Sequence, residues 1–167
     1  MADRRSHIPN EPMPAPGDAA QRATFLDARE ILERVRASFR EVRTALEGLT
    51  PRDERASLLV DLLVRRQREL ERALEASVRD VPDDVLGAQI QYAVDPGVEV
   101  PSVPPADAAD AIVAWLSRHD AALERRLRDA SLRIEIPAAR ELVEAVADLV
   151  AAHERRIARE LASLRDV

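Results

Sequence analysis

Imidazole, carboxylate, hydroxyl and guanidinium groups set the limit on what chemistry this 167-residue chain can perform. There is no cysteine, which excludes disulfides, thiolate metal sites and cysteine nucleophiles. All 25 basic residues are Arg, so neither a Schiff-base lysine nor a P-loop lysine exists. The histidines are His7, His119 and His153. His7 lies in a proline-rich start and is expected to be inert. His119 is followed directly by Asp120, and His153 falls on the apolar stripe of the last helical segment. An imidazole with a converging carboxylate supports metal ligation, or a general base whose ring is oriented by the acid. The carboxylates expected near these rings are Glu33, Asp120 and Asp148. Asp148 should be about level with His119 across the last hairpin, with His153 one to two turns away. No Ser or Cys nucleophile is expected beside this pair, so no catalytic residue is assigned.

The elements that must carry these groups are helical. From Phe25 to Leu49 the apolar residues Phe25, Ala28, Leu32, Val35, Phe39, Val42, Leu46 and Leu49 recur at alternating spacings of three and four. This heptad seam predicts a helix that lays one stripe against other helices. Asp18 and Gln21 form a candidate capping box, which places the first helix at 19–48. Thr50-Pro51-Arg52-Asp53 then offers a hydroxyl cap, Pro at the first helical position and an acid, predicting a second helix at 51–80. So short a connection folds the two antiparallel. If the hairpin bends around Thr50, Glu33 is about level with Gln67, a polar residue on the second seam. For Gln67 the favoured reading is a buried amide satisfied by a neighbour, fixing helix register.

Residues 81–105 carry Pro82, Pro96, Pro101, Pro104 and Pro105, with a helical turn or two expected only within 84–92. A second helix of about 28 residues is about 42 Å long. The extended connection is long enough to return the chain along that whole length. A third helix is predicted at 106–130, with seam residues Ile112, Leu116, His119, Leu123 and Leu127, and a fourth at 137–164, opened by Pro137. Trp115 and Tyr92 are expected to pack the crossover against the helices. The segment 1–17, with four prolines, is read as a flexible tail, leaving one domain at 18–167. The fold expected is all-α: two antiparallel hairpins joined by a long crossover.

This helix order, the long crossover and the polar residues at mid-helix seam positions resemble the ferritin-like four-helix-bundle superfamily over roughly residues 20–165. The stretch Val85-Leu-Gly-Ala-Gln-Ile-Gln-Tyr-Ala93 is similar to a segment of small bacterial members of unassigned function. The resemblance implies a di-iron site built from a Glu on the first and third helices and Glu-x-x-His on the second and fourth. Here those tetrads read Val64-Arg-Arg-Gln67 and Val150-Ala-Ala-His153. Valine cannot bridge two metals, so the site is expected to be degenerate, with His153 alone surviving from the two motifs. Any metal, iron or manganese, would have to use a non-standard set drawn from His119, His153, Glu33, Asp120 and Asp148.

A net charge of −6 and interleaved Arg and acidic residues argue against a nucleic-acid surface. No apolar run approaches a membrane span, and the N-terminus lacks a secretory apolar core, so the cytoplasm is the expected location. The run Arg65-Arg66-Gln67-Arg68 is read as a solvated face. Leu58, Leu59 and Leu62 give the second helix a second apolar face, from which a homodimer or another protein partner is expected. The function expected is a non-catalytic structural or protein-interaction module without a cofactor. The alternative is a metal-binding oxidoreductase or storage protein.

Overall fold

A computed structural model describes residues 24–92 and 100–165. Among them the chain is mostly helical. Strand β1 (Thr24–Asp27) leads into α1 (Ala28–Glu47), followed by α2 (Glu54–Val78), α3 (Asp83–Leu86), strand β2 (Gln89–Tyr92), α4 (Ala109–Ser131) and α5 (Pro137–Arg165). No helix among the described residues is long and apolar enough to cross a membrane. The expected tail at 1–17 and the Asp18 capping box lie outside the described residues.

The first helix begins later than its apolar spacing predicts. Thr24–Asp27 pairs antiparallel with Gln89–Tyr92, Thr24 opposite Tyr92 and Asp27 opposite Gln89. Helix α1 is started instead by Asp27, whose side chain accepts from the Glu30 amide while Glu30 reaches back to the Asp27 amide. This reciprocal capping box satisfies two amides that a helix start otherwise leaves open, so extended backbone can give way to helix within one residue. Phe25 therefore lies on the strand, and the helical seam begins at Ala28. Likewise α2 is capped by Asp53, whose carboxylate accepts from the Ala56 amide at 2.8 Å, and not by Thr50. Of the 84–92 stretch, only the residues up to Leu86 are helical. Gln89 onward is drawn into strand by its partner.

The seam residues of α1 are buried as their spacing requires: Ala28, Leu32, Val35, Phe39, Val42 and Leu46 are all nearly inaccessible, and Ile31 beside the seam is buried with them. Each such side chain contributes about 1.5–3 kcal/mol through burial. Cross-helix pairs give the directions. Arg43 meets Glu71 and Arg68 meets Glu47, so α1 and α2 are antiparallel. Arg128 meets Asp148 and His153 meets Asp120, so α4 and α5 are too. The Arg66–Glu160 pair ties α2 to α5, and Ser38 meets His119 across α1 and α4. With both hairpins antiparallel and α5 running against α2, α2 and α4 point the same way, which obliges the crossover to return along the molecule. Two apolar clusters result. One lies around Phe39, Leu74 and Val146, the other around Leu46, Leu63 and Trp115. Trp115 donates to the Pro101 carbonyl at 3.0 Å, pinning the crossover as expected. The Tyr92 side chain lies outside what is described.

Candidate functional site

Between the two apolar clusters a chain of polar side chains crosses the interior. Helix α1 contributes Ser38, α4 contributes His119 and Asp120, and α5 contributes His153; all four are buried. Ser38 Oγ lies 2.7 Å from His119 Nε2, and His119 Nδ1 lies 3.1 Å from Asp120 Oδ1. The other carboxylate oxygen, Oδ2, lies 3.2 Å from His153 Nδ1. One carboxylate thus holds two imidazoles.

The electrostatics bear on the shared carboxylate. Burial pushes the Asp120 pKa up, but the hydrogen bonds from His119 and His153, with their charge, outweigh it, and the group sits below its ordinary value. An ionised carboxylate can only accept, so both rings donate from Nδ1. Nε2 of His119 is left to the Ser38 hydroxyl, which can either donate or accept. Nε2 of His153 is buried without a hydrogen-bond partner. Glu154, next along α5, has its pKa raised by burial and by the nearby charges of Asp120 and Glu124.

The order Ser–Nε2, Nδ1–Asp is the hydrogen-bond order of an activated serine. Two features set it apart from a working nucleophile. Ser38 is only 4% exposed. It also lies in the middle of α1, where backbone amides are committed to the helical ladder and none is left to stabilise an oxyanion. What this arrangement does chemically is hold charge and orientation inside the protein.

The sequence-predicted residues are only partly brought together. His119, Asp120 and His153 converge. Asp148 does not: it is exposed and pairs with Arg128 at 2.7 Å, so it is not level with His119. The reason is the α4–α5 turn, which lies further along the chain than that alignment requires. Ile134 is buried within that turn, and Arg140 donates to its carbonyl at 3.1 and 2.6 Å; α5 starts at Pro137 as its proline predicts, and the pairs Arg128–Asp148 and Asp120–His153 give the actual register of α4 against α5. This also corrects the separation of His119 from His153, which share one carboxylate. Glu33 is exposed and lines a separate cleft with Arg29, Arg36 and Leu86. The residue that faces Gln67 is Phe39, whose carbonyl accepts from Gln67 Nε2 at 3.4 Å. Gln67 is fully buried, and its Oε1 is without a partner, so its neighbour satisfies only half of it.

Ser38 was not expected next to His119. Nothing in its type singles it out, and the signal it carries is position: it follows Val35 by three residues and adjoins Phe39 on the buried side of α1. Leu62 proves to be buried, so the outward apolar face of α2 is Leu58 with the half-buried Leu59. Arg66 is largely covered, paired with Glu69 and Glu160, and not freely solvated.

A two-metal centre does not fit these residues. Val64 and Val150 offer no ligand, and both oxygens of Asp120 are already engaged. Among the described residues no three His or acidic side chains gather as a ligand set. No family model, no curated protein and no solved structure matches this chain, so its function must be argued from the site itself.

Proposed function

We propose that the chain is a ferritin-like four-helix bundle that has lost the two-metal centre and acts, without catalysis, as a structural or protein-interaction module that pairs as a homodimer. The observation that carries this reading is the direction in which its reactive groups are used. Ser38, His119, Asp120 and His153 bond to one another across three helices and are buried, while a leucine of α2, Leu58, is 64% exposed. Buried polar links of this kind set helix register, and Leu58 with the half-buried Leu59 is the apolar surface of α2 from which self-association is argued. Sedimentation of the full chain at micromolar concentration is expected to show a dimer. A monomer throughout would remove self-association from the proposal.

One observation favours the second reading, a single metal ion at His153. Metal-bound histidine commonly gives its other ring N–H to a carboxylate, as His153 gives Nδ1 to Asp120, and Nε2 is unpartnered. Equilibrium dialysis against ferrous iron, manganese and zinc decides between them. Metal no higher than in His153→Ala supports the non-catalytic reading. Stoichiometric metal that His153→Ala abolishes would overturn it.

A further inference from the structure

Helices α2 and α5 pack along one another, and a cleft of about 150 Å³ opens between them. Leu70 of α2 and Leu149 of α5 form its apolar side, and Arg66, Glu69 and Arg156 carry its charge. His153 lines it as well. The ring is 6% exposed and is held by Asp120 of α4 through Nδ1. The two nitrogens of an imidazole lie on either side of Cε1, so with Nδ1 turned to α4, Nε2 is turned away from it, to the α2 side. That nitrogen is buried without a partner. A ligand atom that pairs it relieves the cost of leaving a buried polar group unmet.

The two arginines of the cleft are not equally engaged. Arg66 bonds Glu69 and both oxygens of Glu160. With those oxygens taken, Arg156 comes no closer than 3.5 Å to Glu160, through Nε. Its two terminal amino groups make no hydrogen bond among the described residues. Arg156 follows His153 by three residues, so the two stand as neighbours on one face of α5. An open guanidinium fork and an unpaired imidazole nitrogen therefore border the same cleft.

We propose that this cleft binds a phosphate ion, with the Arg156 fork on two of its oxygens and Nε2 of His153 on a third. A guanidinium matches phosphate bidentately. Near neutrality the phosphate ion keeps an O–H group beside its bare oxygens, so it can pair Nε2 whether that nitrogen accepts or donates. Sulfate has the same shape without that O–H. A metal ion at the same nitrogen is disfavoured, because guanidinium groups flank the cleft and repel a cation. The carboxylates nearby are engaged elsewhere: Glu69 and Glu160 with Arg66, while Glu154 lies near Asp120 and Glu124. The volume falls below the roughly 300 Å³ at which drug-sized sites begin, which suits a small ion. This site does not depend on self-association of the chain.

The test is isothermal titration calorimetry of the full chain, first stripped of metal with a chelator, against inorganic phosphate, sulfate and phenyl phosphate. Saturable binding of one phosphate per chain is expected, about tenfold tighter than sulfate. Arg156→Gln is expected to weaken it about tenfold or more, with an unchanged melting curve because that side chain is 57% exposed. His153→Ala is expected to weaken it as well; since it also disturbs the interior, Arg156→Gln carries the test if that variant fails to fold. Arg159→Gln removes the same charge from an exposed position of the next turn and should change the affinity little. Absence of saturable binding at millimolar phosphate would overturn the proposal. So would equal losses in Arg156→Gln and Arg159→Gln, full affinity in a folded His153→Ala, or sulfate bound as tightly as phosphate. Phenyl phosphate bound more tightly than phosphate would overturn the assignment to the free ion. Phosphate uptake that appears only when zinc is added back would overturn the site in favour of a metal at His153.

Discussion

Replacing Asp120 with alanine is expected to cost about 3–5 kcal/mol of folding stability, the range seen when one partner of a buried charged pair is removed. For a domain of this size that lowers the melting temperature by roughly 10 °C. The loss is large because one carboxylate serves two donors: without it, Nδ1 of both His119 and His153 is left buried and unpaired. Asp120→Asn keeps the shape but turns an N–H₂ group toward one ring, which must then change tautomer to accept. It is expected to fall between wild type and Asp120→Ala in urea unfolding. Replacing Asp120, His119 and His153 together by apolar residues of similar volume should cost less than Asp120→Ala alone, because no donor is then orphaned. A loss below about 1 kcal/mol in Asp120→Ala would show that the network does not hold the helices.

The pH dependence of the same comparison has a definite sign. Asp120 has its folded pKa lowered from an ordinary value of 3.8, so folding favours its ionised form. Its contribution is fully present above the unfolded value and is lost as pH falls through the folded one. The stability gap between wild type and Asp120→Asn should therefore close as the pH drops below about 4. The groups that face Asp120 are His119 on its own helix, His153 and Glu154 on α5, and Ser38 of α1 through His119. A gap that widened in acid would contradict the assignment of an ionised Asp120.

The second large effect is expected at Trp115. Its side chain is 1% exposed among Val42, Leu46, Leu63 and Leu116, with Val100 and Val103 of the crossover packed on the same cluster. Trp115→Ala should cost about 3–5 kcal/mol through lost burial and the void left behind. Trp115→Phe keeps most of the apolar contact and loses the bond to the Pro101 carbonyl, and should cost about 1 kcal/mol. The two variants separate the roles of ring and hydrogen bond. In Trp115→Ala, limited proteolysis at residues 100–108 should accelerate before global unfolding does, since the side chain that fastens that segment is gone. Equal protease resistance in wild type and variant would mean that the crossover is held by other contacts. Because Trp115 is the single tryptophan, its fluorescence in the wild type reports this junction alone.

Much of the helical framework was legible because a period of three and four reports burial on one face, and the seam residues from Ala28 to Leu46 are all buried. Proline placement gave the start of α5 and the irregular crossover equally well. Where reading failed, the deciding partner was distant in sequence. Thr24 to Asp27 continue the helical spacing, yet they are strand because Gln89 to Tyr92 lie beside them. No local pattern announces that pairing. The seam positions of His119 and His153 marked them as interior, but their sharing of Asp120 depends on how α4 is aligned against α5, which the spacing within either helix does not carry. Ser38 escaped because a small hydroxyl beside a seam is an ordinary residue on any helix, and only the approach of α4 gives it a partner. Asp148 and Glu33 failed for the opposite reason: their positions were plausible, and surface arginines or solvent claimed them.

The strand pair has a kinetic consequence. β1 and β2 are separated in sequence by all of α1, α2 and α3, so no ladder bond between them can form until that length of chain has been closed into a loop. The α1–α2 hairpin brings the strands together, and the Ala28 amide bonding to the Ala88 carbonyl extends the same junction. Strand pairing is then expected to follow hairpin formation, which shortens the loop to be closed. In refolding the small sheet should therefore form late within the first half of the chain, as a latch closed over the α1–α2 hairpin and not as its nucleus.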